Sequence, residues 1–253
     1  MKSTSTAEAI SAQLFELLPQ HPEPAAVHSV FRTSANLLYQ GQLVTLLDDT
    51  RPLYPCAVRL GGPLPALTAG EPVLLCRERI LFPRSGFTVT LDRAQVTSLS
   101  LLSPPSTLQQ PHPAAAEALR ETILTRGKPE GFAPLLTMLE ASPSPLPDNP
   151  YVRYAADRIP ALFAALRQRD AEAAGEAAYS IAAPRTNLIS AAFLRQAACG
   201  QLSSDVLTLI RTLYSSVLSL RLPSAAMNVI AFGETSGTDI LTGIYFGQKI
   251  YPN

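Results

Sequence analysis

The sequence predicts an α+β protein: a β-rich N-terminal part, a small barrel or sandwich, followed by an α-helical C-terminal part. Three observations predict it. From about Ser29 to Leu102, short apolar runs alternate with strong turn chemistry, Gly61-Gly62-Pro63 and Pro83-Arg84-Ser85-Gly86. Ser103–Pro113, SPPSTLQQPHP, has the composition of a linker or extended connection. Past it, apolar residues recur at helical spacing between glycine and proline stop signals. The expected divisions are residues 1–28 as an N-terminal helix and lead-in, 29–102 as a β-rich domain, 103–113 as a proline-rich linker, and 114–253 as a helical domain.

Residues 6–18 read as a helix with Ile10, Leu14, Leu17 and Leu18 on one face, stopped by Pro19. Leu37-Leu38-Tyr39, Gln40-Gly41 and Leu43–Leu47 read as a hairpin with a two-residue turn. Val73–Cys76 and Ile80–Phe82, flanking Arg77-Glu78-Arg79, give a second hairpin. Phe87–Leu91 alternates as a half-buried strand should. Among the helices, Ala114–Arg126 stops at Gly127 with Pro129 beyond, and a second occupies about 130–141. After the break Ser142–Pro147, Asn149 is placed to cap a helix with Pro150 at its first position, which Pro160 kinks or divides. Residues 171–181 are alanine-rich. Thr186–Cys199 ends at Gly200, and Ser203 or Ser204 opens a helix expected to run through Leu220. Its apolar residues wrap much of the circumference, which calls for burial among other helices.

Composition excludes several classes. The 253 residues are enough for one large domain or two smaller ones with real cores. Twenty basic and twenty acidic residues cancel, with no basic patch of the kind nucleic acid or an anionic membrane demands. The N-terminus lacks the apolar core of a signal peptide, and no apolar run has the length of a membrane span. Cys56, Cys76 and Cys199 are odd in number and far apart, which fits a reducing cytoplasm rather than a disulfide framework or a zinc site. His21, His28 and His112 form no metal-ligand spacing and read as solvent-facing. Asp48-Asp49 reads as a turn rather than a catalytic pair, and the cysteines as small buried apolar groups. No metal and no cofactor is expected, and no base, nucleophile and oxyanion set is visible that would name catalytic residues.

The densest chemistry lies in Met227–Tyr251: an apolar segment, the turn Gly233-Glu234-Thr235-Ser236-Gly237-Thr238-Asp239, then a helix carrying Gly243 and Gly247. Ser236 is placed as N-cap with Asp239 facing back toward it. Gly233 and Gly237 remove a Cβ where the backbone turns sharply or something approaches closely. One reading is a well-capped helix whose glycines permit tight packing. The other is an anion site, with unpartnered N–H groups and the positive helix end facing a phosphate or carboxylate. The turn fits neither Walker A nor the dinucleotide fingerprint. Arg195, in the apolar helix Ala191–Gly200, reads either as a snorkelling surface arginine or as a clamp for a carboxylate.

Three stretches carry a family resemblance. Phe31-Arg32-Thr33-Ser34-Ala35-Asn36-Leu37 with Gly41–Leu46 looks like an N-terminal hairpin with its asparagine. Phe193-Leu194-Arg195-Gln196-Ala197-Ala198-Cys199-Gly200 resembles a leucine-arginine helix ending in glycine. Gly233–Gly243 is similar to a closing Gly-x-Thr-Ser-Gly-x-Asp-x-Leu-x-Gly signature, the most specific of the three. The family is the AllH-type subunit of oxamate carbamoyltransferase, linked to allantoin and purine-nitrogen breakdown. Its mid-chain signature, Gly-Pro-Gly-Leu-Thr-Pro-Ser-x-Asp-Asp, corresponds here to Ser142–Asn149, which keeps a helix start without the glycines or the paired aspartates.

The resemblance implies a cytoplasmic subunit that acts with other chains in moving a carbamoyl group between oxalurate and phosphate. It would contribute a small-anion site for a carboxylate, carbamoyl or phosphate group rather than complete chemistry. Thr235, Ser236 and Gly237 would donate hydrogen bonds beside Gly233, and Asp239 would orient them or accept from a carbamoyl N–H. Arg195 would hold a carboxylate, and Asn36 joins the ligand-binding set through the hairpin likeness. The rival reading is a non-catalytic assembly or regulatory protein that keeps the fold with a degenerate site.

Overall fold

The computed structural model describes residues 3–101, 113–129, 136, 170–215 and 220–250. The architecture is α+β, a barrel-like sheet followed by helices. The chain forms two compact units, Met1–Leu101 with Ala155–Ser204, and Leu102–Tyr154 with Asp205–Asn253. The expected helical part, 114–253, is therefore shared between the two units.

The first unit is built on nine strands: β1 (Ser3–Ser11), β2 (Glu23–Val30), β3 (Ser34–Tyr39), β4 (Gln42–Leu47), β5 (Ala57–Leu60), β6 (Pro72–Leu75), β7 (Arg79–Phe82), β8 (Phe87–Thr90) and β9 (Gln95–Thr97). They follow the order β5-β4-β3-β2-β6-β7-β8-β1-β9, and β1 also pairs with β5. Because β5 and β8 end the run that β1 joins, β1 closes eight strands into a barrel, with β9 added beside β1. A barrel of this size is filled by side chains, and Ile10, Leu37, Leu46, Leu60, Leu75 and Ile80 are fully buried in its core.

The helix expected over 6–18 is half strand. Ser3–Ser11 pairs with β5, β8 and β9, and only Ala12–Leu17 (α1) is helical. Ser11 makes the switch: its Oγ accepts from Leu14 N at 3.3 Å, capping α1, and from Ala57 N at 3.3 Å, tying the junction to β5. Leu18, extended before Pro19, ends the helix. Of the expected apolar face, Ile10, Leu14 and Leu18 are buried and Leu17 is half-buried against the core. The sheet also starts earlier than Ser29, for β2 begins at Glu23 between β3 and β6.

Both hairpins form. Gln40 and Gly41 take φ of 48° and 78°, the left-handed pair a two-residue turn between twisted strands requires. Arg77 and Glu78 make the second turn, closed by Cys76 N to Arg79 O at 3.0 Å and Arg79 N to Cys76 O at 3.3 Å. Asp48 is a turn residue, its Oδ1 accepting from Thr50 N and Thr50 Oγ1 at 3.1 and 2.6 Å. His21 and His28 are exposed, while His112 lies outside the described residues.

Two α-helices joined by a 3-10 turn at Ala183–Arg185 follow in this unit, α3 (Ala171–Ala182) and α4 (Leu188–Ala198). Asp170 caps the first through Ala173 N, Asn187 the second through Ser190 N, both at 2.9 Å. They pack closely at Gly175, where a Cβ would stand 2.6 Å from the Ala198 carbonyl oxygen. The expected stop at Gly200 is a Schellman motif. Gly200, at φ 70°, donates to Ala197 O, and Gln201 N donates to Gln196 O.

In the second unit lie α2 (Pro113–Arg126), α5 (Ser204–Leu213, all but its first residue), α6 (Leu222–Ile230) and α7 (Ser236–Ile250). The helix α5 ends at Leu213, short of the expected Leu220, and buries Val206, Leu207, Leu209 and Leu213. Ser204 Oγ accepts from Leu53 N at 3.1 Å. The helix expected near 130–141, the break 142–147, and the Asn149, Pro150 and Pro160 signals lie outside the described residues. No described helix is long and apolar enough to cross a membrane.

Candidate functional site

The closing turn is set by two helices of the second unit. The apolar segment before it is helical, α6, and the chain reverses into α7 through Gly233 in the left-handed region at φ 61°. The first intrahelical bond of α7 runs from Asp239 N to Thr235 O at 3.1 Å, so Thr235 occupies the N-cap position that the sequence gives to Ser236. Ser236 is the first helical residue and is exposed, with Thr235 half-buried.

Gly237 has two structural duties. Its N–H donates to Phe232 O at 3.0 Å, so this expected anion donor is already engaged. A Cβ on it would land on the Val229 carbonyl oxygen, so only glycine lets α7 start this close to α6. Thr238, fully buried, accepts Lys128 N on its Oγ1 at 3.0 Å. Lys128 also sends its ammonium back to the Gly233 carbonyl, Nζ to O at 2.6 Å. The turn thus combines a cation, the positive end of a 15-residue helix and two hydroxyls, Thr235 and Ser236. Sequence reading missed Lys128; its position just past the stop at Gly127 was legible, its contact with Gly233 was not.

Arg195 and Asn36 belong to the first unit. The Arg195 guanidinium lies over the Tyr179 ring, 5.3 Å from the centroid, and its side chain is exposed. It stands in a cleft between α4 and the end of the Gln40-Gly41 turn with Gln42 and Leu43 of β4, which Cys199 also lines. Cys199 is exposed, against the expectation of a buried apolar cysteine, because it follows the last turn of α4. Cys56 and Cys76 are buried, and burial pushes the Cys56 thiol up to about 11.

Asn36 is 4% exposed and committed at both ends of its amide. Its Nδ2 donates to Ser29 Oγ at 3.0 Å, and its Oδ1 accepts from Thr45 Oγ1 at 2.8 Å, joining β2, β3 and β4. Beside it, Gln196 from α4 donates to Cys56 Sγ at 3.6 Å. The same helix therefore places Arg195 in the cleft and Gln196 against the barrel wall.

Comparison with known proteins supplies the remaining finding. Residues 4–96 match the model of the AllH family N-terminal domain, and residues 157–248 match that of the oxamate carbamoyltransferase subunit AllH. Neither match covers 97–156, the stretch that contains Ser142–Asn149. No curated protein and no solved structure matches the chain. With both models matched in order over most of its length, this chain belongs to the AllH family of oxamate carbamoyltransferase subunits.

Proposed function

We propose that the chain is a cytoplasmic subunit of an oxamate carbamoyltransferase-like complex in allantoin and purine-nitrogen breakdown, and that it contributes a small-anion site at the Gly233–Asp239 turn. Its partners are the other subunits of that complex. The observation that carries the anion site is the Lys128 ammonium on the Gly233 carbonyl, beside the start of α7. A phosphate or carboxylate placed there would meet Lys128 and the Thr235 and Ser236 hydroxyls, with Asp239 accepting from a carbamoyl N–H. Gly237 shapes the turn instead of donating to the anion, its N–H being engaged with Phe232.

The rival is a non-catalytic assembly or regulatory protein of the same fold. It is favoured by the packing duties that account for Gly237 and Thr238. It is favoured too by a mid-chain segment, Ser142–Asn149, without glycines or paired aspartates. Ser236→Ala combined with Asp239→Ala separates the two. Titrated with carbamoyl phosphate and with oxalurate, an anion site loses its ligand response while the fold tolerates the change. If the residues serve the helix start alone, stability falls by about 0.3–1 kcal/mol as the first turn loses the Asp239 charge, and any ligand response is unchanged.

A further inference from the structure

The barrel is apolar outside as well as inside. The strand register sets Leu38 of β3 beside Ala26 of β2, and Ala26 beside Pro72 of β6. It also sets Pro24 of β2 beside Leu74 of β6, and Leu74 beside Leu81 of β7. Each of these residues alternates along its strand with side chains of the core, and none is buried, so all stand on the outer face. They run across hydrogen-bonded neighbours with no polar side chain among them. The adjoining outer face, on β3 and β4, is covered by α4, which meets Asn36, Leu43 and Thr45. That cover does not reach Leu38, which is 38% exposed. Single exposed apolar side chains are ordinary on a protein surface, whereas a continuous apolar face has the texture of an interface core.

The charges around this face narrow down its occupant. Arg79 opens β7 on the same side as Leu81, and Arg84 is exposed in the turn after the strand. Neither makes an ion pair among the described residues, and Glu78, exposed in the turn before β7, pairs with neither. An apolar strip with an unpaired cation at each end is complementary to an apolar segment flanked by carboxylates. It is not complementary to itself. A second copy, turned about a twofold axis through the middle of β7, would set Arg79 of one chain against Arg84 of the other, like charge against like. We propose that this face of the barrel docks a partner subunit of the carbamoyltransferase-type complex. The partner seats an apolar segment on Leu38, Leu74 and Leu81 and lays carboxylates against Arg79 and Arg84.

This docking rests on the reading of the chain as one part of such a complex. It does not need the Gly233–Asp239 turn, in the other unit, to bind an anion. The test compares tagged pull-downs of the full parent chain and its variants from lysates of its native cells, with the partner subunits identified and quantified. Leu74→Glu and Leu81→Glu each place a carboxylate on the face. Arg79→Glu combined with Arg84→Glu reverses the charge at its ends, at exposed positions that keep the test open if a leucine variant fails to fold. The parent is expected to recover carbamoyltransferase-type subunits, and each variant that circular dichroism shows to be folded recovers about tenfold less or lower. Folded variants that recover as much as the parent would overturn the proposal and leave the subunit reading standing. A parent that recovers no such subunit would overturn both. A parent that sediments as a homodimer, split by the same variants, would assign the face to a second copy and overturn the proposal as well.

Discussion

Three cysteines divide by environment, and their chemistry follows. Cys199 is exposed just past α4, whereas Cys56 and Cys76 are buried. A thiol reagent at neutral pH is expected to modify Cys199 alone, with Cys56 and Cys76 reacting only on unfolding; rapid labelling of all three in the native chain would contradict their burial. At high pH the Cys56 thiol, pushed up from 9.0 to about 11 by burial, acts alongside Tyr39. Burial, and then its hydrogen bond to Glu23 at 2.8 Å and that group's charge, push the Tyr39 phenol up from 10.0 to about 12. Both groups hold their protons more tightly folded than unfolded. Their contribution is therefore fully present below pH 9 and is lost as pH rises toward 12. Thermal melts across that window should show a falling Tm, and Tyr39→Phe should flatten the upper part of the fall. Residues of this kind were hard to read from the sequence. Asn36 and Arg195 stood out by type, but what each touches is set by neighbours distant in sequence.

At the scale of elements, glycines separate packing from conformational freedom. Gly237 faces the Val229 carbonyl, so Gly237→Ala should destabilise the protein by about 1–3 kcal/mol in denaturant unfolding. Gly243, farther along α7, has open space where a Cβ would go, so Gly243→Ala should stabilise by about 0.5–1 kcal/mol. Equal effects at the two sites would remove the packing explanation for the turn. The elements most legible in the sequence were those whose signals are local. The Gln40-Gly41 hairpin, the stop at Gly127 and the Schellman end at Gly200 depend on a few adjacent residues. Strand β1 was not legible, because Ile10, Leu14 and Leu18 mimic a helical stripe and its partners Val58, Thr88 and Val96 are remote. Nor did the sequence show that Ser11 would end a strand and cap a helix in one step.

For the whole molecule, the fold class was legible because the β and α textures are separated along the chain. The grouping of helices was not: residues 170–204 share a unit with the barrel, and the strand and helix signals alone do not say which helices join which core. The central claim is functional, that a chain of this family works as one part of a carbamoyltransferase-like assembly. It follows from the two family matches, the second of which is to an oxamate carbamoyltransferase subunit. The measurement that tests it most directly is a tagged pull-down of this chain from lysates of its native cells, with the co-purifying proteins identified and quantified. The account predicts stoichiometric recovery of carbamoyltransferase-type partner subunits. Recovery of the chain alone, as a stable monomer or homo-oligomer, would contradict it.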